Sequence, residues 1–223
     1  MDIKKIYEYL KQLRFLTFST IDKGYVHSRI ASIFAGDEDG FYFRTMFIKP
    51  FYRQLINTKN VTVCGMTPIE IKGYDENGVP SYPPGFTLRI IGDVRELSEK
   101  ETRAKAMNNP DFKIAIFDMK KYPAMRNLCL YKGKGEIYDF DFEMTNRENK
   151  LYRERFSFGG ADFNHSGSII TEKCTECGEC YEACTFKAIK PGSPYQVMGE
   201  RCDECGSCML VCPADAIIQP LTF

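Results

Sequence analysis

What is missing from this 223-residue chain narrows what it can be. It has no run of 18 apolar residues, so no bilayer-spanning helix is expected. Its N-terminus, MDIKKIYEYLKQL, carries charge throughout and lacks the apolar core and cleavage site of a secretory signal, so a cytoplasmic protein is expected. Net charge is also absent, at 30 acidic against 30 basic residues, and no basic array interleaved with aromatics occurs, which argues against a nucleic-acid partner. There is no G-x-G-x-x-G loop and no alternating strand–helix order, which argues against a dinucleotide-binding sheet. No Ser/His/Asp set or pair of carboxylates stands out. Of the two histidines, His27, close to Arg29, reads as an ordinary surface or core residue, and His165, in a polar stretch, carries no signal.

Cysteine, by contrast, is plentiful. Eight of the ten lie between Cys174 and Cys212, in two runs that each read C-x2-C-x2-C-x3-C. A shift of 28 residues superimposes Cys174, Cys177, Cys180 and Cys184 on Cys202, Cys205, Cys208 and Cys212. Glu172, Glu176, Gly178, Ala188 and Ile189 recur with them, at Glu200, Glu204, Gly206, Ala216 and Ile217, so the segment is an internal duplication. Structural zinc sites and a disulfide framework are the competing readings. Zinc knuckles pair two doublets across a longer gap, often with histidine, and cysteines two residues apart are crowded for disulfides. The thiolates of a metal cluster also suit a reducing compartment. The remaining cysteines, Cys64 and Cys129, fall on expected strands and read as small buried hydrophobes.

From about Ile169 to Ile218 the chain resembles the bacterial two-cluster ferredoxin family. The resemblance implies two 4Fe–4S clusters with crossed ligation, because the fourth cysteine of each run serves the other cluster. Cys174, Cys177, Cys180 and Cys212 would hold the first; Cys202, Cys205, Cys208 and Cys184 would hold the second. One departure is Thr185 after Cys184, where the family has proline; it predicts a somewhat more solvated second cluster.

The first 142 residues read as short strands and short helices. Ile3, Ile6, Tyr7, Leu10 and Leu13 share one face of a helix. Strands are expected over 15–21, 25–35, 40–47, 61–66 and 86–97, and two more over 126–142 around the KGKG sequence. Helices are expected from Pro50 to about Asn57, from a Ser98 cap to about Asn108, and over 111–117. This order suggests a small closed barrel.

The run STIDKGYVHSRIASIFAGDEDGFYFRTMFIKPFYRQLINTKNVTVCGM, with LRIIGDVREL at 88–97 and GEIYDF at 135–140, resembles the pyridoxamine 5′-phosphate oxidase-like flavin-binding family. The matching positions are Arg29, Thr45, Lys49, Gln54, Leu55, Asn60 and Val61. Physical chemistry agrees with what the resemblance implies: a dianionic FMN phosphate suits Lys49 just before Pro50, the Thr45 hydroxyl at a strand end, and Arg29 on a neighbouring strand. By resemblance, the backbone of Ile30 and Ala31 faces the isoalloxazine ring. The family's members are dimers with flavin at the subunit interface, which places Gln54 to serve either protomer.

The expected fold is therefore α+β: an N-terminal FMN-binding split β-barrel with short helices over 1–142, a linker over 143–165, and a small two-cluster ferredoxin-like domain over 166–223. That last segment carries eight acids against four bases, net −4, leaving +4 on the rest. The expected function is electron transfer between two 4Fe–4S clusters and FMN, as a flavo-iron–sulfur oxidoreductase. Expected partners are a small-molecule substrate or a redox protein and a second copy of the chain, with no membrane. The alternatives are a non-catalytic electron carrier whose barrel serves docking or dimerisation, and a barrel binding deazaflavin or haem.

Overall fold

A computed structural model describes residues 1–68, 70–81, 83–140, 152–162, 167–199 and 201–219. By contacts the chain falls into two units, the first made of Met1–Met66, Leu88–Gly135 and Phe156–Asp162. The second is made of Thr67–Thr87, Glu136–Arg155 and Phe163–Phe223. The expected α+β class is what the chain adopts.

The first helix, α1 (Ile3–Leu13), buries Ile6, Leu10 and Leu13 on one stripe and is capped by the Asp2 carboxylate, which accepts the Lys5 N–H at 2.8 Å. Strands β1 (Leu16–Asp22) and β2 (Tyr25–Ala31) form a hairpin. Its turn residues Lys23 and Gly24 both take positive φ, as a two-residue hairpin turn of matching twist requires. β1 alternates, with Leu16, Phe18 and Thr20 buried, whereas every residue of β2 is at least partly exposed. The expected strand over 25–35 stops at Ala31 and resumes as β3 (Ala35–Asp37), paired with β4 (Gly40–Met46). Helix α2 (Pro50–Thr58) begins with Pro50, whose missing N–H and fixed φ suit a first turn. Next come β5 (Asn60–Met66), the two-residue ladder β6 (Gly73–Tyr74) and β7 (Pro80–Ser81), and β8 (Gly85–Glu96).

Ser98 caps α3 (Glu99–Asn108) by accepting the Glu101 N–H at 3.1 Å. A 3₁₀ turn at Pro110–Phe112 leads into α4 (Lys113–Lys121). The stretch expected as two strands around KGKG is one strand, β9 (Met125–Phe140). Its glycines answer to crowding, not turning. A Cβ on Gly133 would lie 2.8 Å from the Ile91 carbonyl oxygen, and one on Gly135 would lie 2.4 Å from that of Arg89. Opposite them, a Cβ on Gly92 would lie 2.2 Å from the Lys132 oxygen.

Strand β10 (Tyr152–Phe158), within the stretch expected as a linker, pairs with β9. The sheet runs β2-β1-β5-β8-β9-β4-β3, an open path whose described registers are all antiparallel. Its core is aromatic: Phe18 packs on Phe43 at 5.0 Å between ring centroids and on Phe51 at 6.1 Å.

The cysteine segment of the second unit is built from short pieces: β11 (Ile169–Ile170), α5 (Glu179–Glu182), β12 (Ile189–Lys190), β13 (Gln196–Val197), α6 (Ser207–Leu210) and β14 (Ile217–Ile218). Here the duplication extends to the backbone. Helix α6 lies 28 residues after α5, and β14 lies 28 after β12. Positive φ recurs at Glu176 and Glu204 and at Lys187 and Asp215.

Candidate functional site: two thiol cavities and a cationic pocket

Two small cavities lie in the second unit. One is lined by Cys174, Cys177, Cys180 and Cys212 together with Ile170, Tyr195 and Ile217. The other is lined by Cys184, Cys202, Cys205 and Cys208 together with Phe186, Ile189 and Val197. Each cavity thus draws three thiols from one run and the fourth from the other. None of the ten cysteines is in a disulfide. Among the described residues, no three His, Cys, Asp or Glu side chains gather as ligands of a lone metal ion.

The donor set fits iron–sulfur clusters. Backbone N–H groups donate to four sulfurs: Glu176 to Cys174 Sγ and Glu204 to Cys202 Sγ, both at 3.4 Å, Ala188 to Cys184 Sγ at 3.2 Å, and Ala216 to Cys212 Sγ at 3.3 Å. Such bonds stabilise thiolates and tune cluster potentials. Burial, and then the neighbouring thiols, push the Cys180 and Cys208 thiols above their ordinary range. A bound iron cation would offset both penalties. Cys184 and Cys212 are both half-buried, and Cys202 is more buried than its counterpart Cys174.

Sequence reasoning missed a polar assembly beside the second cavity, because its basic members lie in the stretch expected as a linker. Glu204 accepts from Arg155, and its other oxygen pairs with Arg153 at 2.7 Å. Arg155 also meets Glu136 at 3.1 Å, and the Tyr138 hydroxyl donates to Asp203 at 2.9 Å. Burial opposes the Glu204 charge, but hydrogen bonding from Arg155 and the charges of both arginines hold its carboxyl below the usual range.

In the first unit a wide pocket of about 510 Å³ opens between β2, β4, the start of α2 and β9. It brings together five of the six expected flavin contacts: Arg29, Ile30, Ala31, Thr45 and Lys49. The sixth, Gln54, is buried and acts on Arg29 instead: its Oε1 accepts from Arg29 Nη2 and from Thr20 Oγ1, each at 2.8 Å. Arg29 Nη1 donates to Thr20 Oγ1 at 2.8 Å, and its guanidinium lies 4.2 Å from the Phe51 ring centroid. These partners are neutral and leave the Arg29 charge uncancelled, although burial lowers its pKa. Lys49 is the N-cap residue of α2 and its own side chain caps nothing, so the amine is exposed beside the first turn.

Arg44 also lines this pocket and was not anticipated. Its Nε pairs with Asp118 at 2.8 Å, while Nη1 is buried with no hydrogen-bond partner among the described residues. Strand alternation gave no signal for it, because β4 is buried on both faces. The three cations, with Thr45, suit an anionic group.

Of the other residues singled out, Cys129 is fully buried and burial pushes its thiol up to about 12. Cys64 is half-buried and raised for the same reason. His27 is exposed on β2, and His165 lies outside the described residues.

Residues 173–217 match the family model for the 4Fe-4S dicluster domain, about a fifth of the chain. No curated protein matches. Among solved structures, a NimC/NimA family protein from Clostridium acetobutylicum aligns at 19% identity over 70% of this chain and 92% of its own, with a TM-score of 0.49. A protein related to general stress protein 26, of the pyridoxinephosphate oxidase family and from the same organism, aligns at 14% identity over 70% and 96%, with a TM-score of 0.42. HutZ, the heme storage protein of Vibrio cholerae, aligns at 15% identity over 59% and 90%, with a TM-score of 0.42. At these scores the three likenesses carry no functional argument. The dicluster match gives the chain a redox or electron-transfer role. Among the described residues no helix is long and apolar enough to cross a membrane.

Proposed function

We propose that the protein is a flavo-iron–sulfur oxidoreductase passing electrons between two 4Fe–4S clusters and FMN. The observation that carries this reading is the pair of cavities, each lined by three cysteines of one run and the fourth of the other. Cys174, Cys177, Cys180 and Cys212 hold one cluster, and Cys184, Cys202, Cys205 and Cys208 the second. In the sheet unit, Lys49 and Arg29 bind the FMN phosphate with the Thr45 hydroxyl, Gln54 and Thr20 hold Arg29 in place, and Ile30 and Ala31 lie along the ring.

Bound flavin exchanges one or two electrons where a cluster exchanges one, so the pair converts between the two kinds of transfer. Joining both sites in one chain keeps each at high effective concentration for the other. A second copy of the chain completes the flavin site. β2 is an edge strand that leaves Tyr25, Val26 and Ile30 exposed, an apolar stripe that suits a second copy.

Anaerobically purified protein is expected to hold about eight iron and eight acid-labile sulfide per chain, with FMN released by acid precipitation. Zinc with little sulfide would overturn the cluster assignment. Haem or deazaflavin among the released cofactors would overturn the FMN assignment alone. Under stopped flow, reduction of the clusters should pass to FMN at a rate independent of protein concentration.

A further inference from the structure

The two cysteine runs are copies, so any difference between their cavities must come from beyond the repeated residues. The N–H···S contacts match closely at equivalent positions, and the positive-φ residues recur in register. The carboxylates that follow Cys174 and Cys202 by two residues do not match. Glu176 is exposed and takes the Ser193 hydroxyl, a neutral donor. Among the described residues no arginine or lysine pairs with it. Its counterpart Glu204 lines the second cavity and is clamped by Arg153 and Arg155, whose side chains are only 13% and 10% exposed.

Formal charge follows the same division. Residues 172–184 carry four acids and one base. Residues 200–212, with the attached Arg153, Arg155 and Glu136, carry four acids and three bases. The crossing of ligands adds to this. Cys184, which lines the second cavity, is followed three residues on by Lys187, whereas Cys212 of the first is followed at the same spacing by Asp215.

We propose, resting on the two-cluster reading above, that Arg153 and Arg155 set the Cys202 cluster at the higher reduction potential, so that the first electron entering the pair settles there. Each reduction adds one electron, and with it one negative charge, to a cluster already ligated by four thiolates. Positive charge held where water screens it poorly stabilises that reduced form. The arginines are therefore positioning and tuning residues, and the asymmetry gives the duplicated unit a direction.

The test is a stepwise reduction of the anaerobic full-length protein with dithionite, followed by electron paramagnetic resonance. Two separate midpoint potentials are expected. R153Q/R155Q should lower the higher midpoint towards the lower and leave the lower in place, while R153K/R155K should keep both near their original values. If the glutamine pair fails to retain iron, the single substitutions R153Q and R155Q decide, since each should lower only the higher midpoint, by a smaller step. One shared midpoint, or a higher midpoint unmoved by loss of these charges, overturns the proposal while leaving the two-cluster reading intact. Fewer than about eight iron per chain removes that reading and this proposal with it.

Discussion

The eight cysteines that line the two cavities of the second unit all come from the stretch Cys174–Cys212. The pocket of the first unit is gathered from β2, β4, α2 and β9, from Arg29 to Met125. In the cysteine unit, residue type and spacing carry the chemistry, and the supporting structure is little more than single-turn helices and two-residue strands. In the sheet unit no lining residue is diagnostic by itself. The site exists because strands distant in sequence are brought side by side, and that pairing depends on packing across the whole core.

The largest expected effect tests the crossing of the two cysteine runs. Cys184→Ala should cost about half the iron, and the lost signal should be that of the cluster built on Cys202, Cys205 and Cys208. Loss of the Cys174 cluster instead would show that each run closes on itself. Iron analysis with paramagnetic resonance distinguishes the two.

The next effect tests how far the sheet unit depends on close strand approach. Gly92→Ala puts a Cβ 2.2 Å from the Lys132 carbonyl oxygen, a backbone atom that cannot swing aside. Overpacking of this kind should destabilise the sheet unit by about 3 kcal/mol or more, read from the urea midpoint. Flavin retention should fall while the iron content holds.

A smaller effect separates ligand binding from fold. Lys49→Ala should weaken FMN roughly ten- to a hundredfold and leave riboflavin, which has no phosphate, nearly unchanged in fluorescence titrations. Equal losses for both ligands would make Lys49 a structural residue. Smallest of all, Ser98→Ala removes the cap of α3 and should cost about 1 kcal/mol in thermal or urea unfolding with both cofactors retained.

The elements on either side of the comparison were legible to different degrees. Helix α1 and the β1–β2 hairpin follow from periodicity and the Lys23-Gly24 turn, and α2 and α3 from their first residues. The KGKG sequence misled because glycine permits both a turn and a close approach, and only the neighbouring strand decides between them. Tyr152–Phe158 was passed over inside a polar stretch. Its pairing partner is β9, and half-exposed strands with arginine and glutamate at alternate positions carry little apolar signal. Gln54 was read as a ligand contact because its position in the helix matches a motif; it is buried and accepts a hydrogen bond from Arg29.

By itself the sequence determined the cysteine inventory of the second unit, its duplication, and the local conformations that repeat with it, because these depend on residues a few positions apart. It also marked Arg29, Thr45 and Lys49 as candidates. Only tertiary structure decided that these three share a pocket with Arg44, that Gln54 braces Arg29, and that Arg153 and Arg155 close on Glu204. Each of those facts joins residues well separated along the chain, and the free energy that selects such pairings belongs to the packed core and its desolvated charges, which no local pattern encodes.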